Sequence, residues 1–280
     1  MDNTLYLSDL DGTLLRSNQR TSAFTNDVVN RLVDAGVHFS YATARSVDTA
    51  VRVTKGIEVD IPVIVHNGAF IVDSVTRRAL YSAKFTPEEE SLIYGAFLAH
   101  GLYPLSYAVI DGRNRFSYLR EKCGKEQWAF VLSRTSNAED HRAREIYSTD
   151  EALDGDVYYF ACIDDEEKLR PVYEFLKDKF RCIFSRDIYT DAPWLEILPK
   201  YASKASAAKI LKEKLGCDRI VCFGDEINDI PMFEIADEKY AVANAAPELK
   251  ALATAVIGSN DEDAVAKWLV KKFSSCGVLS

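Results

Sequence analysis

Strand and helix alternate along the first part of this chain, the alternation breaks near Ser82, and it resumes after Pro199. Residues 5–10 read as a strand, and Phe24, Val28, Val29, Leu32 and Val33 then recur at helical spacing up to Gly36, where a C-terminal cap belongs. Residues 37–42 form the next strand, and Ser46 caps a helix over 47–54. Residues 62–65 are a third strand, Asn67-Gly68 a turn signal, and 69–72 with 79–81 a short hairpin. Such alternation predicts a parallel sheet with helices on both faces.

The middle block has another character. Thr86-Pro87-Glu88-Glu89 places Thr at an N-cap, Pro at the first helical position and Glu three residues after the cap. The helix it starts is expected to bury Leu92, Ile93, Ala96 and Phe97 and to stop at Gly101. Strands follow at 103–110, 115–119 and 157–163, then a helix over 166–179 and strands at 182–185 and 194–198, while 134–144 reads as a solvated loop or ragged helix. After Pro199, Ser203 caps a helix over 204–215 that Gly216 ends. A strand at 219–223, a helix at 227–236, a strand at 240–243, a helix at 247–253, a strand at 255–257 and a helix at 261–273 complete the chain. The expected fold is α/β: a Rossmann-like parallel sheet core from residues 1–82 and 200–280, with an α+β domain, 83–199, inserted in its middle.

Composition narrows the partners. A chain of 280 residues can bury a real core, and a formal charge of −9 argues against a nucleic-acid backbone or an anionic membrane surface as the main partner. No apolar stretch approaches the roughly 18 residues of a membrane span. Residues 1–4 lack the basic region of a signal peptide. The six cysteines are scattered without Cys-x-x-Cys, which suits reduced thiols, and the four histidines form no ligand-spaced set. A cytoplasmic location is expected, and a monomer, since no heptad or broad apolar stripe is present.

Two acidic clusters carry the chemistry. Asp9 and Asp11 follow the first strand, and Asp225, Asn228 and Asp229 follow the strand at 219–223. In an open parallel sheet ligands bind beyond the carboxyl ends of the strands, so Asp9, Asp11, Asp225 and Asp229 converge if both strands share one sheet. Four carboxylates there repel one another unless a cation sits among them, and hard oxygen ligands beside a phosphate suit Mg²⁺. Singly, each cluster has a plainer explanation: Asp11-Gly12 is a turn signal, and Asp225 to Asp229 an acidic helix start. A carboxylate at a strand end is also a nucleophile toward phosphorus, and a second one two residues on is an acid/base for the leaving oxygen and for water. Thr43 is either a helix cap or a phosphate contact beside free N–H groups. Lys204, in the first turn of its helix, opposes the helix dipole unless an anion sits there, and Lys200 competes for that role.

Together these segments resemble the haloacid dehalogenase superfamily. Asp9-Leu10-Asp11-Gly12-Thr13-Leu14-Leu15 resembles its first motif, Thr43 its second, Lys204 its third and Gly224-Asp225-Glu226-Ile227-Asn228-Asp229 its fourth. Their order and spacing, the inserted block, Asn67-Gly68-Ala69, Pro231-Met232 and Val242-Ala243-Asn244-Ala245 resemble the Cof-like branch, subfamily IIB. Ala44 departs from the usual Thr-Gly-Arg, Glu226 stands where a small residue is common, and Ala264 where Asp-Glu-Asp-Gly would be expected.

The resemblance implies a Mg²⁺-dependent phosphatase acting on small phosphorylated metabolites such as sugar phosphates. Asp9 would be the nucleophile and Asp11 the acid/base. Thr43 and Lys204 would hold the phosphate. Asp9, Asp11 (through its backbone carbonyl), Asp225, Asn228 and Asp229 would hold Mg²⁺. Arg45, Asn67 and Gly68 are candidate substrate contacts, and the inserted domain would be a cap that selects the leaving group, with hinges near 82–84 and 199–201. Tyr158, Tyr159, Arg186, Asp187 and Tyr189 are candidates for that selection by residue type alone. The alternatives are a sugar phosphomutase, or a non-catalytic phosphate-binding or signalling protein.

Overall fold

A computed structural model describes residues 3–58, 60–136, 140–186 and 191–274. The chain divides into two compact units, Met1–Ser82 with Ala202–Ser280, and Ala83–Tyr201. It is a mixed α/β fold whose first unit is built on a parallel sheet, in the strand order Ala255–Val256, Glu238–Ala241, Arg219–Gly224, Thr4–Ser8, His38–Tyr41. The isolated parallel bridge from Ala42 to Ile64 leads to Pro62–Val65, which forms an antiparallel sheet with Phe70–Asp73 and Ala79–Ser82.

Alternation along the central strands fills both faces of the parallel sheet. Leu5, Leu7, Ile220 and Cys222 pack with Ala207, Ala208 and Leu211 of the helix Lys204–Leu215 and with Met232 and Phe233. On the other face Tyr6 meets Trp268 and Phe273, and Phe223 meets Tyr240 and Trp268. From Thr4–Ser8 the chain turns to the neighbour on one side, and from Arg219–Gly224 to the neighbour on the other. That divergence opens a crevice beyond the carboxyl ends of these two paired strands, where Ser8 lies opposite Phe223.

The local signals act as their chemistry predicts. Ser22, Ser46 and Ser203 each accept a backbone N–H from the first turn of their helices. Gly36 and Gly216 end helices at φ 82° and 69°. In the second unit Thr86 and Glu89 close a reciprocal capping box, Glu89 N–H donating to Thr86 Oγ1 at 3.3 Å and Thr86 N–H to Glu89 Oε2 at 2.9 Å.

The second unit holds a six-stranded sheet in the order Arg181–Arg186, Pro193–Leu198, Asp156–Ile163, Leu105–Ile110, Arg113–Leu119, Ala143–Ile146. It is antiparallel except for its last pair. Ile93, Phe97, Leu169, Val172, Phe160 and Leu195 are among the residues of its core. Several expectations need correction. Leu92 and Phe24 are exposed, whereas Tyr94 is buried. Within 134–144, residues 134 and 135 end the helix Lys125–Thr135, which buries only Gln127 and Val131, residues 143 and 144 begin the edge strand Ala143–Ile146, and 137–139 lie outside the described residues. The second acidic cluster begins a short 3₁₀ turn, Ile227–Asp229, before the helix Ile230–Ile235. No helix among the described residues is long and apolar enough to cross a membrane.

Candidate active site

The first acidic cluster sits on a tight turn. Asp9 N–H donates to the Phe223 carbonyl at 2.9 Å, which carries the strand pairing one residue past Ser8, and Leu15 N–H closes the turn on the Leu10 carbonyl at 2.8 Å. Gly12 lies inside the turn at φ 76°, and a Cβ there would fall 2.1 Å from Asp225 Oδ2. Only a residue without a side chain lets the two acidic loops come this close. Gly12→Ala is therefore expected to cost about 1–3 kcal/mol through backbone strain alone, with a further loss as Asp225 is displaced. A thermal melt checks it, since the Tm should fall. An unchanged melt would remove Gly12 from the account.

Asp9, Asp225 and Asp229 are all buried and present oxygens within 4.8 Å of one another. Lys204, 2% exposed, enters this group from its helix, with Nζ 2.5 Å from Asp9 Oδ1 and 2.8 Å from Asp229 Oδ1. Thr13 donates to Asp225 Oδ1 at 2.8 Å, and Asp229 Oδ2 accepts the N–H groups of Asp225 and Glu226 at 3.1 and 3.2 Å. Each carboxylate thus has a fixed orientation, and one ammonium faces three acidic groups.

That imbalance sets the protonation. Burial pushes Asp9 up to about 8, with Asp229 and Asp225 adding to the rise against the pull of Lys204. Burial also pushes Asp225 up to about 6, helped by Asp229 and Glu226 and opposed by the Thr13 hydrogen bond and Lys204. Burial alone would lower Lys204, but Asp9 and Asp229 outweigh it and hold the ammonium charged. Three buried hard oxygens with one internal cation fit a divalent metal ion, whose charge would restore Asp9 and Asp225 to the ionised form.

Other candidates lie at the rim or elsewhere. The Asp11 side chain is exposed and outside the carboxylate group, held by the fork of Arg45 at 2.7 and 2.5 Å, with Gln19 accepting from Arg45 at 3.2 Å. Thr43 is buried, and its hydroxyl accepts the Arg45 N–H at 3.1 Å, so it does cap the turn it begins. Asn67 N–H donates to the Thr43 carbonyl at 2.9 Å, in the left-handed turn His66–Gly68. At Gly68, φ 94°, a Cβ would meet the Ser203 carbonyl oxygen at 2.1 Å, so this glycine seats the turn on the start of the Lys204 helix. Asn228 is exposed and outside the carboxylate group. Lys200 is exposed and bonds the Asp178 carbonyl within the inserted unit, leaving Lys204 as the lysine of the site. In that unit Tyr158 is buried, the Tyr159 hydroxyl donates to Glu196, and Arg186 pairs with Glu166. Asp187 and Tyr189 lie outside the described residues.

The departures from the motif pattern have simple geometry. Neither Ala44 nor Ala264 has a positive φ, so neither position needs glycine. Glu226 turns its carboxylate back to cap Ile227 N–H at 3.4 Å. What the sequence reading missed is a strap across the first turn. Asn244 donates to the Gly12 carbonyl, Asn260 to the Leu15 carbonyl, Ser17 bonds Asp261, and the Arg16 fork takes Asp263. The resemblance had drawn attention to Asn244, but no local spacing signals a partner so far away in the chain.

Residues 6–269 match the family model for haloacid dehalogenase-like hydrolases. A 5-amino-6-(5-phospho-D-ribitylamino)uracil phosphatase of Bacillus subtilis is 28% identical, over 93% of this chain and 95% of its own. A phosphoglycolate phosphatase of Sulfurisphaera tokodaii is 33% identical, over 68% of this chain and 80% of its own. A crystal structure from Thermotoga maritima shares the fold with a TM-score of 0.74, at 24% identity and 97% coverage of both chains. With its motifs in family order and the match spanning nearly its whole length, the chain belongs to the haloacid dehalogenase-like hydrolases, of Cof type.

Proposed function

We propose that this chain, a phosphatase of the haloacid dehalogenase-like family, hydrolyses small phosphate monoesters, sugar phosphates foremost, through an aspartyl-phosphate on Asp9 and with Mg²⁺ as its cation. One observation carries the reading: Asp9, Asp225, Asp229 and Lys204 meet, buried, beyond the ends of two adjacent parallel strands. The two phosphatases named above support it, since both names describe small phosphate esters.

An Asp9 oxygen attacks phosphorus as the ester P–O bond breaks, and Asp11 gives its proton to the leaving oxygen. Asp11 then takes a proton from water, whose oxygen attacks phosphorus and releases phosphate and the Asp9 carboxylate. For this Asp11 exchanges the Arg45 fork for the reacting oxygens. Thr43 and Lys204 hold the phosphate oxygens, which is most of what phosphoryl transfer asks of a protein. Asp9, the Asp11 carbonyl and Asp225 would hold Mg²⁺, with Asp229 behind them and the exposed Asn228 reaching the ion only by turning inward. When bound it neutralises charge on the transferred group and keeps Asp9 ionised. The inserted unit is a cap that selects the leaving group.

A panel of phosphorylated metabolites, assayed with Mg²⁺ and with EDTA, tests the proposal. Phosphate release that EDTA abolishes is expected, and none from any ester by a folded protein would end the phosphatase reading. The raised carboxyl groups add a pH prediction. A cation entering the site displaces protons held on Asp9 up to about pH 8 and on Asp225 up to about pH 6. Mg²⁺ affinity should therefore climb from pH 5 to pH 8, about tenfold per unit for each proton displaced, and then level off. Calorimetry in two buffers of different protonation enthalpy reads both the slope and the released protons, and a flat profile would contradict the buried, protonated site.

A further inference from the structure

Residues 242–246 touch both acidic loops. On the fourth-motif side, Val242 N–H donates to the Gly224 carbonyl at 3.2 Å and Ala246 N–H to the Asp225 carbonyl at 2.7 Å. On the first-motif side, Asn244 Nδ2 donates to the Gly12 carbonyl at 2.8 Å. The other end of the same amide, Oδ1, accepts the N–H of Asn260 at 3.1 Å, and Asn260 Nδ2 donates to the Leu15 carbonyl at 2.9 Å. Asn260 is buried, so its amide has one seat, and it fixes which end of the Asn244 amide faces Gly12. One short segment thus ties a carbonyl from each wall of the carboxylate site, at the point where Gly12 and Asp225 are closest.

We propose that Asn244, held in register by Asn260, is a positioning residue that sets the separation of the two walls of the cation site, and with it the preference for an ion as small as Mg²⁺. This rests on the metal-dependent reading of the site above. The physical lever is size. Mg²⁺ requires oxygens at about 2.0–2.1 Å in near-octahedral order, whereas Ca²⁺ accepts about 2.3–2.6 Å in flexible arrangements. Releasing the Gly12 carbonyl lets the first turn move away from Asp225 by tenths of an ångström, which disfavours the smaller ion more than the larger. Asn244 is itself exposed, and its loss leaves no cavity in the core.

The test titrates Mg²⁺ alone and Ca²⁺ alone into the metal-free protein by calorimetry, with no ester present. Asn244→Leu keeps the size and removes both hydrogen bonds, and Asn244→Ala repeats the loss with a smaller side chain. Asp261→Asn, which alters the strap contact to Ser17, is the control. Both Asn244 variants should lose about 10–100-fold in Mg²⁺ affinity and much less in Ca²⁺ affinity, with the metal-free Tm near that of the parent. The control should keep the parental ratio. In turnover the Mg²⁺ concentration for half-activation should rise while the KM for ester holds. Equal Mg²⁺-to-Ca²⁺ ratios in parent and both Asn244 variants would overturn the role assigned to Asn244. A parent that binds neither ion would instead overturn the metal-dependent reading, and this inference with it.

Discussion

Asp9→Asn is expected to remove turnover by roughly 10⁴-fold or more, the scale of losing a covalent nucleophile, while leaving the fold intact. The amide fills the space of the carboxylate but cannot attack phosphorus. The stability of the metal-free protein should move the other way. Asp9 is held at about 8, far above an ordinary carboxyl, so the folded chain binds a proton that the unfolded chain has lost. Stability in the metal-free parent therefore falls as pH rises from about 4 to about 8. The substitution removes that penalty, so metal-free Asp9→Asn should melt near the parent at pH 5 and above it at pH 9. Activity that survives the change would show that Asp9 is not the nucleophile. A variant less stable than the parent at pH 9 would show that burial of Asp9 is not a cost.

Lys204→Met should be the most damaging single change to stability. It leaves Asp9 and Asp229 buried without the ammonium that lies 2.5 and 2.8 Å from their oxygens. Removing one partner of a buried ionic group typically costs about 3–5 kcal/mol, a large part of what holds a domain together. Two conditions should restore part of the loss. Lowering the pH protonates the stranded Asp9 carboxyl group, and Mg²⁺ supplies charge in place of the ammonium. Turnover should still fall by about 10²–10³-fold with Mg²⁺ present, because the positive contact proposed for the phosphate is gone. Lys200→Met, at an exposed site in the other unit, is the control and should change neither melt nor turnover. Equal melts for the two variants would show that Lys204 does not balance the carboxylates.

Much of the architecture was legible because its signals are local. The strand Pro62–Val65 is an apolar run between turn residues, and the helix Lys204–Leu215 is bracketed by Ser203 and Gly216. The two acidic clusters follow apolar strands, and adjacency of those strands is enough to bring Asp9, Asp225 and Asp229 together. Where local signals are weak, the reading failed. The helix Lys125–Thr135 begins at Gly124 without a side-chain cap and buries only Gln127 and Val131, so it carries no clear apolar stripe. The strand Ala143–Ile146 has Arg144 and Glu145 at an edge and shows no alternation. Long-range polar bonds have no sequence period at all. A salt bridge at Arg45 is one of the roles its residue type suggests, but its partner Asp11, like the partner of Asn244 at Gly12, depends on loops meeting in space and is named by no local spacing. The close approach of Gly12 to Asp225 belongs to the same class, since the sequence presents Gly12 only as part of a turn.

The covalent step proposed for Asp9 is open to direct measurement in Asp11→Asn, with p-nitrophenyl phosphate as the ester and Mg²⁺ present. Its leaving group departs without a proton, so attack by Asp9 proceeds, while hydrolysis of the aspartyl-phosphate, which needs a base, is slowed. Rapid mixing should give a burst approaching one p-nitrophenolate per chain. Acid quench, borohydride reduction and peptide mapping should then place the modification at residue 9 alone. A variant that shows no burst while the parent turns the ester over, or that carries the phosphoryl group on another side chain, would contradict the assignment of Asp9 as the nucleophile.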